Sequence, residues 1–352
     1  MTSPSRAKAS LEPFACPTCH EPLSFQERLR CSQCGTCYLG PDGIASFNDS
    51  GVYHGPILPK PEMQRLLTLA RERGHRYAVA EHLPSEDPEF ARYITSPARK
   101  GGLCLLDLRG GERVLDFGCA FGVLALEVAK RAAIVVALDV TREKIEFLQI
   151  VKQQCELDHF FPVCSGDPLR LPLPDGFFDW VILNAVFEYL PQSIAERNVR
   201  RAHLLALREV HRVLRPGGRL YLATKNRYGY RLLLGDRDHS GLRFTSVLPR
   251  RLANWLTMIR LGRPYRIVTH SFAGYQQLLR QAGFGASTFY APFPSLQYPE
   301  RFVPLTGSKR ELIDGLAHVK SRRTVGGAMW HAVARLGMFP RLFPHYVIVA
   351  TR

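Results

Sequence analysis

The chain has 352 residues, of which 46% are hydrophobic and 22% charged, and this composition fits a globular protein and excludes a disordered or fibrous one. At this length about two domains are expected. No apolar run approaches the ~20 residues of a membrane span, and residues 1–10 are polar and basic, unlike a secretion signal. We therefore expect a cytoplasmic protein that is soluble or peripherally bound at a membrane.

Positive charge is concentrated in the C-terminal half. The formal net charge is +16, yet residues 1–196 carry 20 Lys and Arg against 25 Asp and Glu, whereas residues 197–352 carry 27 against 6. A half this basic favours an anionic partner, such as nucleic acid, a phospholipid surface or a phosphorylated substrate. The alternative is a solvated basic surface that binds no partner.

The N-terminus holds a cysteine cluster with the spacing of a metal site. Four cysteines form two C-x-x-C pairs that are separated by eleven residues. Two such pairs can wrap one tetrahedral zinc ion, so we predict a structural zinc ribbon over residues 14–47, preceded by a disordered tail over residues 1–13. The predicted metal ligands are Cys16, Cys19, Cys31 and Cys34.

Two alternatives remain open for this cluster. Cys37 could replace Cys34 as the fourth ligand, and disulfides could form instead, although they are typical of secreted chains. Four thiolates leave no open coordination position, so the predicted role is in folding and not in catalysis. The CPTC…CSQC segment resembles the zinc-binding N-terminus of some bacterial rRNA guanine methyltransferases and related small zinc-ribbon proteins.

Between the cluster and the next apolar strands, the pattern predicts a linker and then helices. Residues 48–62 are rich in Gly, Pro and Asn and are typical of a linker. Residues 63–108 predict a helical cap, with one helix over 63–80 and a second over 97–108. These helices either close a cofactor pocket or simply pack on a sheet.

From residue 112 to residue 224, apolar strands alternate with amphipathic helices, which predicts a parallel α/β sheet. The first strand, residues 113–116, leads into a bend with Gly118 and Gly122, where glycine lets the backbone turn sharply and approach a ligand. The second strand ends at Asp139, and a carboxylate at that position can accept hydrogen bonds from ribose hydroxyls.

The segment VLDFGCAFG, Val114 to Gly122, resembles motif I of class I S-adenosylmethionine (SAM)-dependent methyltransferases and departs from the dinucleotide pattern G-x-G-x-x-G. The later segments CSGD, LPLPDGFFD and LRPGG follow in the order typical of this family. The resemblance implies SAM as cofactor, a core over 109–230, and a Rossmann-like doubly wound sheet that is mostly parallel with an antiparallel last strand. The cofactor-binding residues it implies are Asp116, Gly118, Cys119, Gly122, Asp139, Val140, Asp167, Pro168 and Asn184.

Five of these residues also have simpler interpretations. Asp116, Gly118 and Gly122 could form a tight strand–helix turn that binds no ligand. Asp139 could be a carboxylate favoured by the dipole of the following helix, and Asp167 could form a turn before Pro168. Their order at successive strand ends favours the ligand-binding interpretation, because open α/β sheets bind ligands at that edge.

Residues 231–352 are predicted to be a substrate-binding segment with the last two strands and an insertion. The motifs N-R-x-G at Asn226, D-H-x-G at Asp238 and Y-x-P-x-P at Tyr290 resemble methyltransferases found with cell-surface polysaccharide and glycosyltransferase enzymes. Lys225 departs from that pattern, because Glu is usual there. The resemblance implies a sugar or glycolipid acceptor.

Methyl transfer to oxygen needs a group that takes up the hydroxyl proton. His239, flanked by Asp236 and Asp238, is the predicted base, and a loop histidine bonded to backbone is the alternative. Asn226 and Arg227 complete the predicted catalytic group, because Arg227 could hold an acidic substrate as a bidentate pair. A solvated loop arginine is the alternative for Arg227.

The insertion over residues 294–344 contains a basic run that precedes an apolar, aromatic stretch. This combination could rest on an anionic membrane surface or could be core packing with a charged rim. The basic residues are His318, Lys320, Arg322 and Arg323, and Met329, Trp330, Leu336 and Phe339 follow them.

The predicted function is SAM-dependent methyl transfer to oxygen of a sugar, glycolipid or related small metabolite. An RNA methyltransferase is the first alternative, favoured by the ribbon and the basic half, although Asn184-Ala185-Val186-Phe187 lacks the Asn-Pro-Pro-Tyr tetrad of base amino-nitrogen methylation. A non-catalytic SAM-fold scaffold that binds a partner through the ribbon is the second. The oligomeric state is left open.

Overall fold

The structure is a computed structural model, and it describes residues 13–26, 28–38, 44–47, 58–83, 88–194, 196, 198–319 and 324–352. Most of the predicted N-terminal tail and of the predicted linker lies outside the described residues. So do three residues of the predicted basic run, Lys320, Arg322 and Arg323.

Eleven strands form a short hairpin and one large sheet among the described residues. The hairpin strands are β1 (Ser24–Gln26) and β2 (Arg28–Arg30). The sheet has nine strands in the order β10-β9-β11-β8-β7-β4-β5-β6-β3. Their bounds are β3 (Ala45–Phe47), β4 (Arg113–Phe117), β5 (Ile134–Asp139), β6 (Phe160–Ser165), β7 (Phe178–Asn184), β8 (Leu214–Lys225), β9 (Ser287–Pro294), β10 (Pro299–Pro304) and β11 (His345–Thr351).

Twelve α-helical segments accompany these strands in the described part of the chain, with 3-10 turns at Pro97–Leu105 and Phe187–Gln192. The helices are α1 (Lys60–Arg73), α2 (His75–Tyr77), α3 (Pro88–Thr95), α4 (Ala125–Val128), α5 (Arg142–Gln154), α6 (Val199–Val213), α7 (Tyr230–Leu233), α8 (Arg250–Leu261), α9 (Phe272–Ala282), α10 (Lys309–Val319), α11 (Val325–Arg335) and α12 (Phe339–Leu342). None of the described helices is both long and apolar enough to cross a bilayer.

The predicted Rossmann-like, doubly wound fold is confirmed. The neighbours β3, β6, β5, β4, β7 and β8 run parallel, and the last strand, β11, pairs antiparallel with β8. Apolar side chains alternate between the two faces of each strand, so Leu115 packs in one core layer and its neighbour Val114 in the other. One layer includes α6 and α9, and the other includes α1 and α5, so helices cover both faces.

The cysteine-rich segment is joined to the sheet instead of standing apart from it. Its strand β3 pairs in parallel with β6, with Ala45 opposite Val163, and the Ala15 N–H donates to the Pro172 carbonyl at 3.0 Å. The buried Phe47 ring stacks on Tyr38 at 4.7 Å and lies 5.8 Å from Phe14. The segment therefore shares its core with the sheet and covers the edge of β6.

Three elements differ from the sequence-based expectation. The predicted helix over 63–80 is interrupted at Gly74, where φ is +93° and only glycine is unstrained. The predicted helix over 97–108 is a 3-10 turn. The insertion contributes an additional strand, β10, which begins and ends with proline; an edge strand tolerates proline because one side of its backbone has no ladder partner.

The shared core makes a prediction about stability. Phe47→Ala should lower the free energy of unfolding of the whole protein by about 3–5 kcal/mol, because it opens a cavity between the cysteine segment and the sheet. Tyr77→Ala, at an exposed ring, should cost less than about 1 kcal/mol. Chemical denaturation followed by circular dichroism measures both values. A separate early transition in Phe47→Ala, with the main transition unmoved, would show that the segment folds independently.

Candidate functional site

A cavity of about 810 Å³ opens at the carboxyl ends of β4, β5, β6 and β7, where a doubly wound sheet binds its ligands. Asp116, Asp139, Ser165 and Asn184 mark those strand ends on the cavity wall. The predicted cap also contributes to the wall, through Tyr93, Ile94 and Arg99, and Leu58 of the predicted linker adds to it. The cavity is thus built from the sheet edge on one side and the residues before β4 on the other.

Two glycines let the chain after β4 bend close to its neighbours. Gly118 has φ +81°, and a Cβ on it would lie 2.4 Å from Val186 Cγ2. Gly122 has φ +70°, and a Cβ there would lie 2.6 Å from Leu148 Cδ2. Any other residue would be strained at either position and would push the bend away from β7 or α5. Gly118 lines the cavity, whereas Gly122 supports the bend from behind.

Asp139 is buried at the end of β5 and ties two loops together. Its Oδ2 accepts from the Ala120 N–H at 3.0 Å, and its Oδ1 accepts from the Thr141 N–H at 2.8 Å. A carboxylate oxygen can accept two hydrogen bonds, so each oxygen keeps one acceptor position for a ligand in the cavity. Asp139 can therefore hold the bend and bind a pair of hydroxyls at the same time.

Asp116 is the most perturbed acid of the site. It is 3% exposed at the end of β4, and burial, assisted by the negative charge of Asp139, raises its pKa to about 7. Such a carboxyl is poised to ionise when a cation arrives. The charge of the Arg99 guanidinium opposes this shift from across the cavity.

Arg99 is a site residue that sequence analysis did not identify. Its guanidinium lies 3.5 Å from the centroid of the Tyr93 ring and donates to the Tyr93 carbonyl at 3.4 Å. Burial lowers its pKa below the ordinary arginine value. The only available signal was its position in the predicted cap, since no motif surrounds it. It places a cation within the same cavity as Asp116.

Of the other predicted cofactor-binding residues, four line the cavity and one does not. Cys119, Val140, Pro168 and Asn184 line the cavity. Asp167 is not among its lining residues, and its Oδ1 accepts from the Leu169 N–H at 2.9 Å. Asp167 therefore makes the turn contact of the simpler interpretation, and its part in cofactor binding stays a prediction.

His239 lies at the far side of the same cavity, between two residues of the 3-10 turn after β7. Its Nδ1 is 3.0 Å from the Tyr189 hydroxyl, and its Nε2 faces Glu188 Oε1 at 3.5 Å. Both His239 and Tyr189 line the cavity, whereas Glu188 is 1% exposed behind them. This row of three groups, which we term the Glu188–His239–Tyr189 row, connects a buried carboxylate to a phenol on the cavity wall.

Asp236 and Asp238, which flank His239 in the sequence, make their hydrogen bonds elsewhere in the structure. Asp236 accepts from Arg231 at 2.7 Å, and Asp238 accepts from the Tyr265 hydroxyl at 2.9 Å and from Ser240. Although these two aspartates are close to His239 in the sequence, their carboxylates hydrogen-bond to other residues and so stabilise the loop itself. The carboxylate partner of His239 comes instead from Glu188, which is 51 positions earlier in the chain.

Further contacts fix the charge of Glu188. Burial alone would raise its pKa, but the facing His239 and the charge of Lys225 bring the pKa below its ordinary value, so the group is a carboxylate at neutral pH. Thr224 donates to it at 3.3 Å and is in turn 2.8 Å from the Tyr275 hydroxyl. By contrast, partial burial and the nearby Glu188 charge raise the pKa of Tyr189 to about 12, so this phenol stays protonated.

The structure does not bring Asn226 and Arg227 to the cavity wall. The Asn226 amide is fully buried and donates to the carbonyls of Arg341 and Phe343 at 2.7 and 2.9 Å. The Arg227 guanidinium donates to the carbonyls of Ser246 and Leu248 at 2.8 and 2.7 Å. Both side chains are used to fix loops after β8, and the Arg227 guanidinium lacks the open bidentate face that its prediction required.

The four predicted metal ligands come together at the N-terminus. The sulfurs of Cys16, Cys19, Cys31 and Cys34 all lie within 4.8 Å of one another, and Cys16 Sγ is 3.7 Å from Cys34 Sγ. Four thiolates about 2.3 Å from one zinc ion would lie about 3.8 Å apart in a tetrahedron, so this donor set fits zinc. Cys37 is not part of the group, which favours Cys34 as the fourth ligand.

Comparison with known proteins identifies the central segment. Residues 115–222 match the model of the methyltransferase domain family. A ubiquinone biosynthesis O-methyltransferase of Xanthomonas campestris pv. campestris (strain B100) is 27% identical over 143 residues, 41% of this chain and 55% of that protein. The 27-O-demethylrifamycin SV methyltransferase of Amycolatopsis mediterranei (strain S699) is 31% identical over 119 residues, 34% of this chain and 40% of that protein.

Among solved structures, a SAM-dependent methyltransferase from Mesorhizobium loti aligns with a TM-score of 0.43 and 18% identity, covering 74% of this chain and all of that one. The chain spans about half the length of the curated relatives it matches. The family model covers the segment that runs from β4 to β8. The family match thus identifies residues 115–222 of this chain as a methyltransferase domain.

Proposed function

We propose that the whole chain is a SAM-dependent methyltransferase that transfers a methyl group to a hydroxyl of a sugar, glycolipid or related small metabolite. One observation carries this proposal: the buried acids Asp116 and Asp139 line the same cavity as His239 and Tyr189, behind which lies Glu188. The proposed division of labour is a cap over residues 63–108, a cofactor-binding core over 109–230 and a substrate-binding segment over 231–352.

The cofactor end of the cavity has the charges that SAM requires. Asp139 would accept hydrogen bonds from the ribose hydroxyls through its two remaining acceptor positions. Asp116 would face the cationic part of the amino-acid moiety, and Arg99 would hold its carboxylate. The bend at Gly118 would let backbone lie against the ligand. When bound, SAM supplies a methyl group that its sulfonium activates toward nucleophiles.

The acceptor end would remove the hydroxyl proton through a relay. In the free protein His239 Nδ1 contacts the Tyr189 hydroxyl and Nε2 is buried facing Glu188 without a hydrogen bond, so a hydroxyl in the cavity reaches His239 without rearrangement only through Tyr189. The acceptor proton would pass to the Tyr189 oxygen as the Tyr189 proton passes to His239 Nδ1. The imidazolium that results would lie beside the buried Glu188 carboxylate, which stabilises it.

An acceptor with several hydroxyls fits the surroundings of this row. Gln192, Ser193 and Arg263 line the cavity near His239 and can hydrogen-bond hydroxyl or phosphate groups. The resemblance of the C-terminal motifs to methyltransferases of polysaccharide enzymes supports the same acceptor class. The names of the two relatives state O-methylation in ubiquinone biosynthesis and methylation of 27-O-demethylrifamycin SV.

For the N-terminal cysteine cluster we infer a structural zinc ion held by Cys16, Cys19, Cys31 and Cys34. The spacing of the sulfurs supports it, and all four are protein ligands with no position left for a substrate. The ion would hold the hairpin β1–β2 against the segment that leads to β3. Its role would therefore be to keep the sheet edge covered.

The proton relay is tested by variants assayed against the acceptor. Incubation with labelled SAM and fractionated cell extract first shows whether label enters saccharide, lipid, protein or RNA. With that acceptor, His239→Ala and Tyr189→Phe should each lower kcat about 100-fold or more, since each breaks the proton route, while SAM affinity measured by calorimetry is unchanged. Glu188→Gln should have a smaller effect because the route itself remains.

His318→Ala, at an exposed histidine of α10, is the matched control and should keep full activity. A strong effect of His239→Ala with a mild effect of Tyr189→Phe would replace the relay by direct contact between acceptor and His239. Label in RNA would refute the proposed acceptor class, and full activity of His239→Ala would remove the row from the mechanism.

The raised pKa of Asp116 predicts how stability depends on pH. Its folded value of about 7 exceeds the unfolded value of 3.8, so this group costs the free protein stability as pH rises from about 4 to 7. Asp116→Asn should therefore stabilise the ligand-free protein at pH 8, by on the order of 1–4 kcal/mol, and by less as pH falls toward 5. Thermal and urea unfolding at several pH values measures the difference.

The same group predicts the pH dependence of cofactor binding. Because a bound cation favours the carboxylate, SAM affinity should rise about tenfold between pH 6 and pH 8, and this dependence should be lost in Asp116→Asn. Calorimetry in buffers of different ionisation enthalpy should also detect release of a proton on binding at pH 6.5. Equal pH profiles for the two proteins would show that Asp116 does not meet the cation.

The zinc inference is tested by metal analysis of purified protein. We expect one zinc per chain, lost in Cys34→Ser and kept in Cys37→Ser, because only Cys34 belongs to the group of four sulfurs. Loss of zinc should also lower the melting temperature, since binding energy of the ion contributes to folding. Zinc lost in Cys37→Ser and kept in Cys34→Ser would reassign the fourth ligand.

A further inference from the structure

Helix α8 turns an apolar face toward solvent. Ala253 and Thr257 are buried and hold the helix on the protein, whereas the opposite face carries Leu252, Trp255, Met258 and Ile259. Their spacing of three and four residues places them on one side of the helix. Trp255 is 62% exposed, Ile259 61% and Leu252 52%. Contiguous exposure of this kind on a folded protein marks an interaction surface.

The surroundings of this face are cationic. From residue 239 to residue 299 the sequence contains seven arginines and neither aspartate nor glutamate. Arg251 and Arg260 lie on α8 itself, and Arg263 follows directly after its end; all three are exposed. Among the described residues, none of these three guanidinium groups pairs with a carboxylate. An apolar stripe flanked by unneutralised arginines is complementary to a surface that is apolar inside and anionic outside.

The face also lies beside the proposed acceptor end of the cavity. Thr257 and Leu261, on α8, line a small recess of about 40 Å³ together with His239. Arg263 and Ile267 line both this recess and the main cavity. A surface on which α8 rests would therefore lie next to the opening that leads to His239.

We propose that α8 docks this protein on an anionic phospholipid bilayer, with the apolar stripe in the acyl boundary and the arginines at the phosphates. A helix with aromatic and aliphatic side chains on one face and arginine beside them binds in the interfacial plane by these two contributions. Tryptophan is enriched at that depth. The surface differs from the apolar stretch near residue 330, where Trp330 is buried against Phe339 at a ring distance of 5.1 Å.

This docking is independent of the proposed methyl transfer, because it concerns a surface and requires no acceptor. Taken together, the docking and the methyl transfer imply that an acceptor with a lipid anchor would reach the cavity from the bilayer. Because vesicle binding is measured without SAM, a negative result for docking does not contradict the proposed methyl transfer, and the reverse also holds.

The intrinsic fluorescence of the protein supplies a direct test. Of the three tryptophans, Trp180 and Trp330 are buried and Trp255 is exposed, so a change of environment on docking is reported by Trp255. With vesicles of equal parts phosphatidylcholine and phosphatidylglycerol, the emission should shift to shorter wavelength and the protein should cosediment. Pure phosphatidylcholine vesicles should bind it at least about tenfold more weakly, and added salt should weaken binding to the anionic vesicles.

Variants separate this face from the other exposed apolar surface. The double variant of Trp255→Gln and Ile259→Gln should bind anionic vesicles at least about tenfold more weakly, because it removes the most exposed part of the stripe. Arg251→Gln with Arg260→Gln should also bind more weakly and lose most of the salt dependence. The matched control is the double variant of Leu336→Gln and Met329→Gln. These two apolar side chains are 78% and 50% exposed.

The control variant should bind like the natural protein, and unchanged melting temperatures should show that all variants fold. The proposal is overturned if the natural protein does not bind anionic vesicles, or if binding is lost in the Leu336 and Met329 variant and kept in the Trp255 and Ile259 variant. It is also overturned if the emission shift depends on protein concentration without vesicles, because the stripe would then be buried against a second copy of the chain.

Discussion

The close approach of Gly118 to Val186 is the contact on which the geometry of the site depends. It brings the bend after β4 against the end of β7 with no room for a side chain between them. Two residues beyond Val186, the 3-10 turn presents Glu188 and Tyr189 toward His239. The acid-lined end of the cavity and the end that holds the Glu188–His239–Tyr189 row are therefore fixed relative to each other by the packing of the Val186 side chain on the Gly118 backbone, and reaction between two ligands needs that kind of fixed separation.

Much of the fold could be predicted from the sequence because its signals are local. Apolar strand runs, a glycine bend and helix patterns each occupy a few consecutive residues, so β4, β5 and β7, and the antiparallel last strand implied by the family resemblance, could be predicted from them. The strand β10 was missed because its two prolines argue against a strand unless the edge position is known. The joining of β3 to β6 was missed because a three-residue strand has almost no pattern of its own.

The site was less predictable because its key contacts join distant segments. The residues beside His239 in the sequence are two aspartates, and both are used within the loop, whereas its actual partner Glu188 lies in a different element. Arg99 has no motif around it. Asn226 and Arg227 were attractive by residue type, yet their hydrogen bonds go to backbone carbonyls. Residue type and order can indicate which strand ends meet. They do not indicate which side chains remain free to contact a ligand, because that depends on all the hydrogen bonds made within the folded protein.

The covering of β6 by β3 has a consequence for the fate of the protein in the cell. When the cysteine segment opens, β6 becomes a terminal strand whose N–H and C=O groups have lost their partners on one side. Apolar strands exposed in this way pair with copies of themselves and begin aggregation. On the proposal that zinc holds this segment closed, a shortage of the metal would then reduce the amount of usable protein through insolubility and proteolysis, without any change at the cavity.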